Sequence, residues 1–307
     1  MKRFLIKCIF LILLLNLLMA QTSTEFKDAR QQLLFYKNEG EKVIPEFRRQ
    51  IRPFLNQFEK AIEQEIEYEV VPSQNVQAMA YLKRGKRFIQ IHAGILEVID
   101  WVATATIING AGYRDCSYVY LKHLFDGIKN NTESQSVHGP LAKVYSPFGF
   151  ASINGSKCGG VSDSLLLSNS RFREFRKALI GGSVRWLLSH ELGHHIYDHV
   201  DTESKSHSEN RGREMKADLF AFRMMTTDDM ELFFAMPILL IIANLGGTAE
   251  NEPNESYPAG TTRFKVMLEA LDNLMKNDAS FRAYIQESGN LEKWNILINA
   301  LKVEMAR

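Results

Sequence analysis

The stretch SVRWLLSHELGHHIYDHV, residues 183–200, decides how the rest of the chain is read. Its four histidines, His190, His194, His195 and His199, fall within ten residues of a run that otherwise suits a buried helix. On a helix, residues four apart differ by roughly 40° in direction, so His190 and His194 project from one face, one turn apart. Two neutral imidazoles held there take two corners of a zinc tetrahedron without strain. Glu191 falls beside the open position, where a carboxylate serves as general base toward water. His195 and His199 point to the other side of the helix and read as surface or second-layer residues.

A third ligand must come from elsewhere. The extended pattern HExxHxxGxxH needs glycine at 197 and histidine at 200, where this chain has Tyr197 and Val200. Downstream, ENRGREMKADLFAFRMM (209–225) places Glu214 and Asp218 four apart on an expected helix. Packed against the first helix, Glu214 completes a His, His, Glu set with one position left for water. Asp218, one turn on, then accepts the outer N–H of a ligand histidine and fixes its tautomer. The competing reading makes both acids part of an exposed charged face with Arg211, Arg213 and Lys216.

The N-terminal twenty residues, MKRFLIKCIFLILLLNLLMA, have a basic start, a short apolar run and a small residue at Ala20. This pattern reads as a secretory signal, residues 1–20, cut near Ala20; left uncut, the same segment is a weak membrane anchor. Removing Lys2, Arg3 and Lys7 leaves 34 basic against 36 acidic residues. No basic tract remains to recruit nucleic acid by counterion release. No transmembrane helix is expected in the mature chain: FFAMPILLII is apolar but too short to span, and Pro237 interrupts it. Of the two remaining cysteines, Cys116 and Cys158, export favours a disulfide closing about forty residues; two buried thiols are the alternative.

Residues 21–66 read as an N-terminal helical segment, with Gly40 separating two helices, Pro45 starting the second and Pro53 kinking it. Residues 67–307 read as one α+β domain, mainly helical. YEVV, QAMAYL and RFIQIH, broken by Pro72 and KRGK, suggest a small antiparallel sheet, and AGILEVIDWVATATI a helix. Residues 102–182, rich in glycine, serine and asparagine, read as a long irregular insertion or flap. Helices follow over 183–201, 210–226, 229–245, 262–276 and 290–305.

HELGH followed by ExxxD resembles the gluzincin zinc metallopeptidases, in particular the CAAX prenyl endopeptidases and the HtpX-like proteases. VQAMAYLKRGKRFIQIHAGILEVI is similar to the edge strand and hairpin that precede the metal helix in that family, with Gln77 where asparagine is usual. SYPAGTTRF puts Tyr257, Pro258 and Arg263 where the family often has HP and a following arginine. The likeness spans roughly 67–101 and 183–275. It implies a zincin-like fold, one Zn2+ per chain and hydrolysis of peptide bonds. It also implies a substrate strand at Gln77, Ala78, Met79 and Ala80 that pairs with an extended peptide or unfolded protein. Tyr257, in place of the family's histidine, would donate a hydrogen bond to the oxyanion.

The leading expectation is an exported, periplasmic or secreted zinc endopeptidase with Glu191 as general base. The alternatives are a catalytically latent, zinc-containing peptide-binding or chaperone-like module, and, more weakly, a metal buffer.

Overall fold

A computed structural model describes residues 29–136, 143–200, 206–226 and 234–245, with isolated positions between 262 and 277. The expected signal segment, Tyr257 and the helix expected over 290–305 lie outside the described residues.

Helix α1 runs Ala29–Ile51, a 3-10 turn follows at Arg52–Phe54, and α2 spans Gln57–Glu65. The division expected at Gly40 does not occur: α1 continues through both Gly40 and Pro45. Gly40 marks a close approach rather than a break. A Cβ there would meet Leu96 Cδ1 at 2.6 Å and Val70 at 3.2 Å, so the missing side chain lets α1 lie on the core. Pro53 sits at the start of the 3-10 turn. Asn56 then opens α2 with a reciprocal cap: its Oδ1 accepts from Glu59 N, while Glu59 Oε2 accepts from Asn56 N.

Strands β1 (Ile66–Val71), β2 (Ala78–Lys83) and β3 (Lys86–His92) form one sheet in the order β1-β3-β2. The sheet is mixed, not wholly antiparallel: β2 pairs antiparallel with β3, but β1 pairs parallel with it. Alternation in a sequence reports which face is buried and says nothing about the direction of a non-local partner. The connection between β1 and β2 passes the start of the next helix, where Gly94 N donates to Ser73 O and His92 N to Gln77 O. The β2–β3 turn is two residues, Arg84 and Gly85, both at positive φ, the hairpin form whose twist suits the strands. From that turn, Ala78, Ala80 and Leu82 direct their backbone N–H and C=O to the outer edge of β2, which no other strand covers among the described residues.

Helix α3 (Ala93–Gly110) is long and apolar enough to cross a membrane by length and composition, yet most of it is buried inside the protein. Around it pack α1, α4 (Arg114–Ser136), α8 (Ser170–Ile196) and α10 (Met236–Leu245), while α9 (His207–Thr226) packs against α8. Short helices α5 (Pro147–Ile153), α6 (Gly155–Cys158) and α7 (Ser164–Leu167) lie between α4 and α8. The mainly helical α+β class holds, but the stretch expected to be irregular is largely helical. Its turn-forming residues act as caps: Ser146 Oγ accepts from Gly149 N, and Asn169 Oδ1 from Arg171 N and Phe172 N. Tyr120, Leu124 and Phe150 from this stretch join the same buried core as Ile99 and Trp186. Cys116 and Cys158 are bonded, S–S 2.04 Å, tying α4 to α6. Buried polar contacts bind the helices further: Tyr36 OH donates to Asp100 Oδ2 at 2.8 Å, and Arg176 bonds both Asp100 and Thr104 Oγ1.

Candidate metal centre

His190 and His194 lie in the last two turns of α8, and Glu214 and Asp218 on the face of α9 that packs against it. Gly193 stands at the contact between these helices, so no side chain separates the two backbones there. His190 Nε2 and His194 Nε2 are 3.2 Å apart. Glu214 closes the triangle, with Oε2 3.4 Å from His190 Nε2 and Oε1 3.5 Å from His194 Nε2. A tetrahedral ion with ligand bonds near 2.0–2.1 Å separates its donors by about 3.4 Å. The three edges therefore fit one ion, and two imidazoles with one carboxylate are a donor set suited to a catalytic zinc. Together these residues form a group that could hold a metal ion.

The surroundings hold this group in place. Asp218 Oδ1 lies 2.9 Å from His190 Nδ1, and Asp218 is in turn clasped by Arg263 through Nε at 2.7 Å and Nη2 at 2.6 Å. Burial raises the Asp218 pKa, but the Arg263 guanidinium outweighs it and holds the carboxyl at about 2. Trp186, one turn before His190, stacks on its ring with centroids 5.3 Å apart. The surroundings of the two histidines differ. Burial disfavours the cation on both, but Asp218 and Glu214 raise His190, whereas His194 is held low.

Glu191 is buried, and desolvation pushes its carboxyl up to about 7. It accepts a hydrogen bond from the backbone N–H of Ala80, one of the outward-facing groups of β2. The structure thus brings Glu191 against the strand edge as well as beside the His, His, Glu cluster. Ala78, Met79 and Ala80 lie in β2, while Gln77 precedes it and approaches His92 Nε2 at 3.2 Å.

The remaining histidines of the run have separate tasks. His195 is fully buried and its Nε2 lies 2.9 Å from Phe88 O, fastening α8 to β3. His199 is half-buried with its Nδ1 3.0 Å from His194 Nδ1. Burial, with Arg213 and Lys216 nearby, holds His199 down at about 4, so it is neutral at ordinary pH. The second-layer reading of His199 agrees with this contact with His194, but its expected direction does not, because an ideal helix continued to 199 points the ring away. The chain leaves the helix before that position.

The Peptidase U49 family model matches residues 162–285, a span that contains α8, α9 and Arg263, and the match supports a peptidase. No curated protein and no solved structure matches the chain.

Proposed function

We propose that the chain is a zinc-dependent endopeptidase of gluzincin type, acting on peptides or unfolded proteins. The observation that carries this reading is the position of Glu191: a buried carboxylate between the His190, His194, Glu214 cluster and the outer edge of β2. An ion held by those three residues would supply Lewis-acid polarisation of water and of the scissile carbonyl. Glu191 takes the water proton on a carboxylate oxygen and hands it to the leaving amine. Asp218 fixes His190, and Arg263 fixes Asp218. Among the described residues no strand covers the outer edge of β2, and its outward N–H and C=O groups suit an extended peptide added as a further strand, with Glu191 already on Ala80 N–H marking where that strand would pass the cluster. Tyr257 is assigned to donate a hydrogen bond to the oxyanion, by the family resemblance alone.

An exported location follows from the secretory pattern of residues 1–20 and is supported by the Cys116–Cys158 bond, which oxidising compartments favour.

The deciding experiment compares zinc content and cleavage of an unfolded protein for the wild type and Glu191→Gln. The proposal expects about one zinc in each and cleavage by the wild type alone. Zinc in both with cleavage by neither leaves a peptide-binding module instead, and absence of zinc from the wild type removes the metal reading.

A further inference from the structure

The end of helix α8 is built so that residue 199 returns over residue 194. Tyr197 is the C-cap, and Asp198 takes the left-handed conformation at φ 53°. Asp198 N donates to His195 O at 3.3 Å and His199 N to His194 O at 2.9 Å. This pair of backward bonds is the Schellman termination, which stacks the second residue past the cap on the third-last residue of the helix. Here those two residues are His199 and His194, with ring centroids 5.1 Å apart and Nδ1 atoms 3.0 Å apart. The returning chain is held from α9 as well: Arg213 Nη1, from the residue just before Glu214, donates to His199 O at 3.0 Å.

We infer that His199 is a positioning residue for His194, its Nδ1 accepting the Nδ1 proton of that imidazole so that Nε2 is turned to the metal. The inference rests on the metal-centre reading above. Two ring nitrogens at this distance bond only if one donates and the other accepts. A neutral His194 that ligates through Nε2 carries its proton on Nδ1, so it is the donor. His199 then keeps its own proton on Nε2 and offers Nδ1 as a lone pair. Asp218 does the same for His190, at 2.9 Å from its Nδ1. Each ligand imidazole therefore has its own acceptor, a carboxylate for one and a neutral ring for the other. The acceptor for His194 depends on a helix-terminating turn rather than on a neighbouring helix face.

The test uses the full chain as wild type, His199→Phe and His199→Asn. Phenylalanine keeps the ring and removes the acceptor; asparagine places an amide oxygen near the Nδ1 position. Zinc affinity is measured by chelator competition, the ligand field by the visible spectrum of the Co2+ form, and the fold by the thermal midpoint of metal-free protein. The inference expects His199→Phe to weaken zinc roughly 10–100-fold and alter the Co2+ bands, with the metal-free midpoint unchanged. It expects His199→Asn to recover part of that loss. It is overturned if His199→Phe binds zinc as the wild type does with a superimposable Co2+ spectrum. It is equally overturned if both variants lose affinity alike while their metal-free midpoints fall, since that is the mark of a merely structural residue. A wild type that binds no stoichiometric metal sinks the metal-centre reading itself, and this inference with it.

Discussion

Gly193 of helix α8 and Ala217 of helix α9 meet almost backbone to backbone: a Cβ at 193 would stand 3.1 Å from Ala217 Cα and 3.2 Å from Phe220 Cβ. His190 and His194 lie three residues before and one after that glycine, and Glu214 and Asp218 lie three before and one after that alanine. The spacing between the two helices at this one contact is therefore what brings the ligands of one within reach of the other.

Gly193→Val puts a branched side chain into the contact. Overpacking of this kind costs about 1–3 kcal/mol, and separating the helices draws Glu214 away from the histidines. The expected result is a lower thermal midpoint and weaker zinc binding in chelator competition. Binding equal to that of the wild type would show that the helix spacing does not control the site.

Asp218→Asn takes from Arg263 the nearer of its two carboxylate partners, leaving Glu214 at 3.7 Å, while Asp218 and Arg263 are both buried. Removing one member of a buried pair costs about 3–5 kcal/mol. Zinc affinity should fall roughly 10–100-fold, because His190 loses a carboxylate acceptor. Denaturant unfolding and metal competition on the same preparation check the two effects separately.

Cys116→Ser opens the bond that joins α4 to α6 across 42 residues. The chain-entropy account sets the loss at up to ~4 kcal/mol. The bonded cysteines lie outside the α8–α9 pair, so zinc affinity should stay unchanged while the melting temperature drops. A variant that loses metal and stability together would tie this region to the site.

Glu97 on α3 gives a pH signature of stability. Burial, then the neighbouring Asp100, pushes its carboxyl from about 4.5 up to about 8; Gln32 bonds it, and Tyr36 and Arg176 bond Asp100 beside it. The folded state thus holds this proton more tightly than the unfolded chain does. The stability it contributes is complete below about pH 4.5 and is lost as pH rises through 8. Glu97→Gln cannot ionise, so its thermal midpoint should fall less than that of the wild type over that range. Parallel pH curves would refute the assignment.

The HELGH run, the acid pair at 214 and 218 and the mainly helical composition were legible in the sequence because they are local. Helical period alone puts His190 beside His194, and Glu214 on the same face as Asp218. What the sequence could not convey is how particular elements meet their distant partners. The direction in which β1 joins β3 depends on a connection that passes the start of α3. Gly40 looked like a break and is a crossing point, because Leu96 lies more than fifty residues away. The glycine- and serine-rich middle looked irregular, since a cap and a loop use the same residue types and only the helix that follows tells them apart. His199 is the sharpest case. Its place is set by where α8 stops, and by Asp198 taking a left-handed turn that no pattern around it announces. The spacing of the candidate ligands within each helix was thus a property of the local sequence, while the approach of α9 to α8 and the turn that returns His199 over His194 were decided by tertiary structure, because those depend on how helix ends and neighbouring backbones meet.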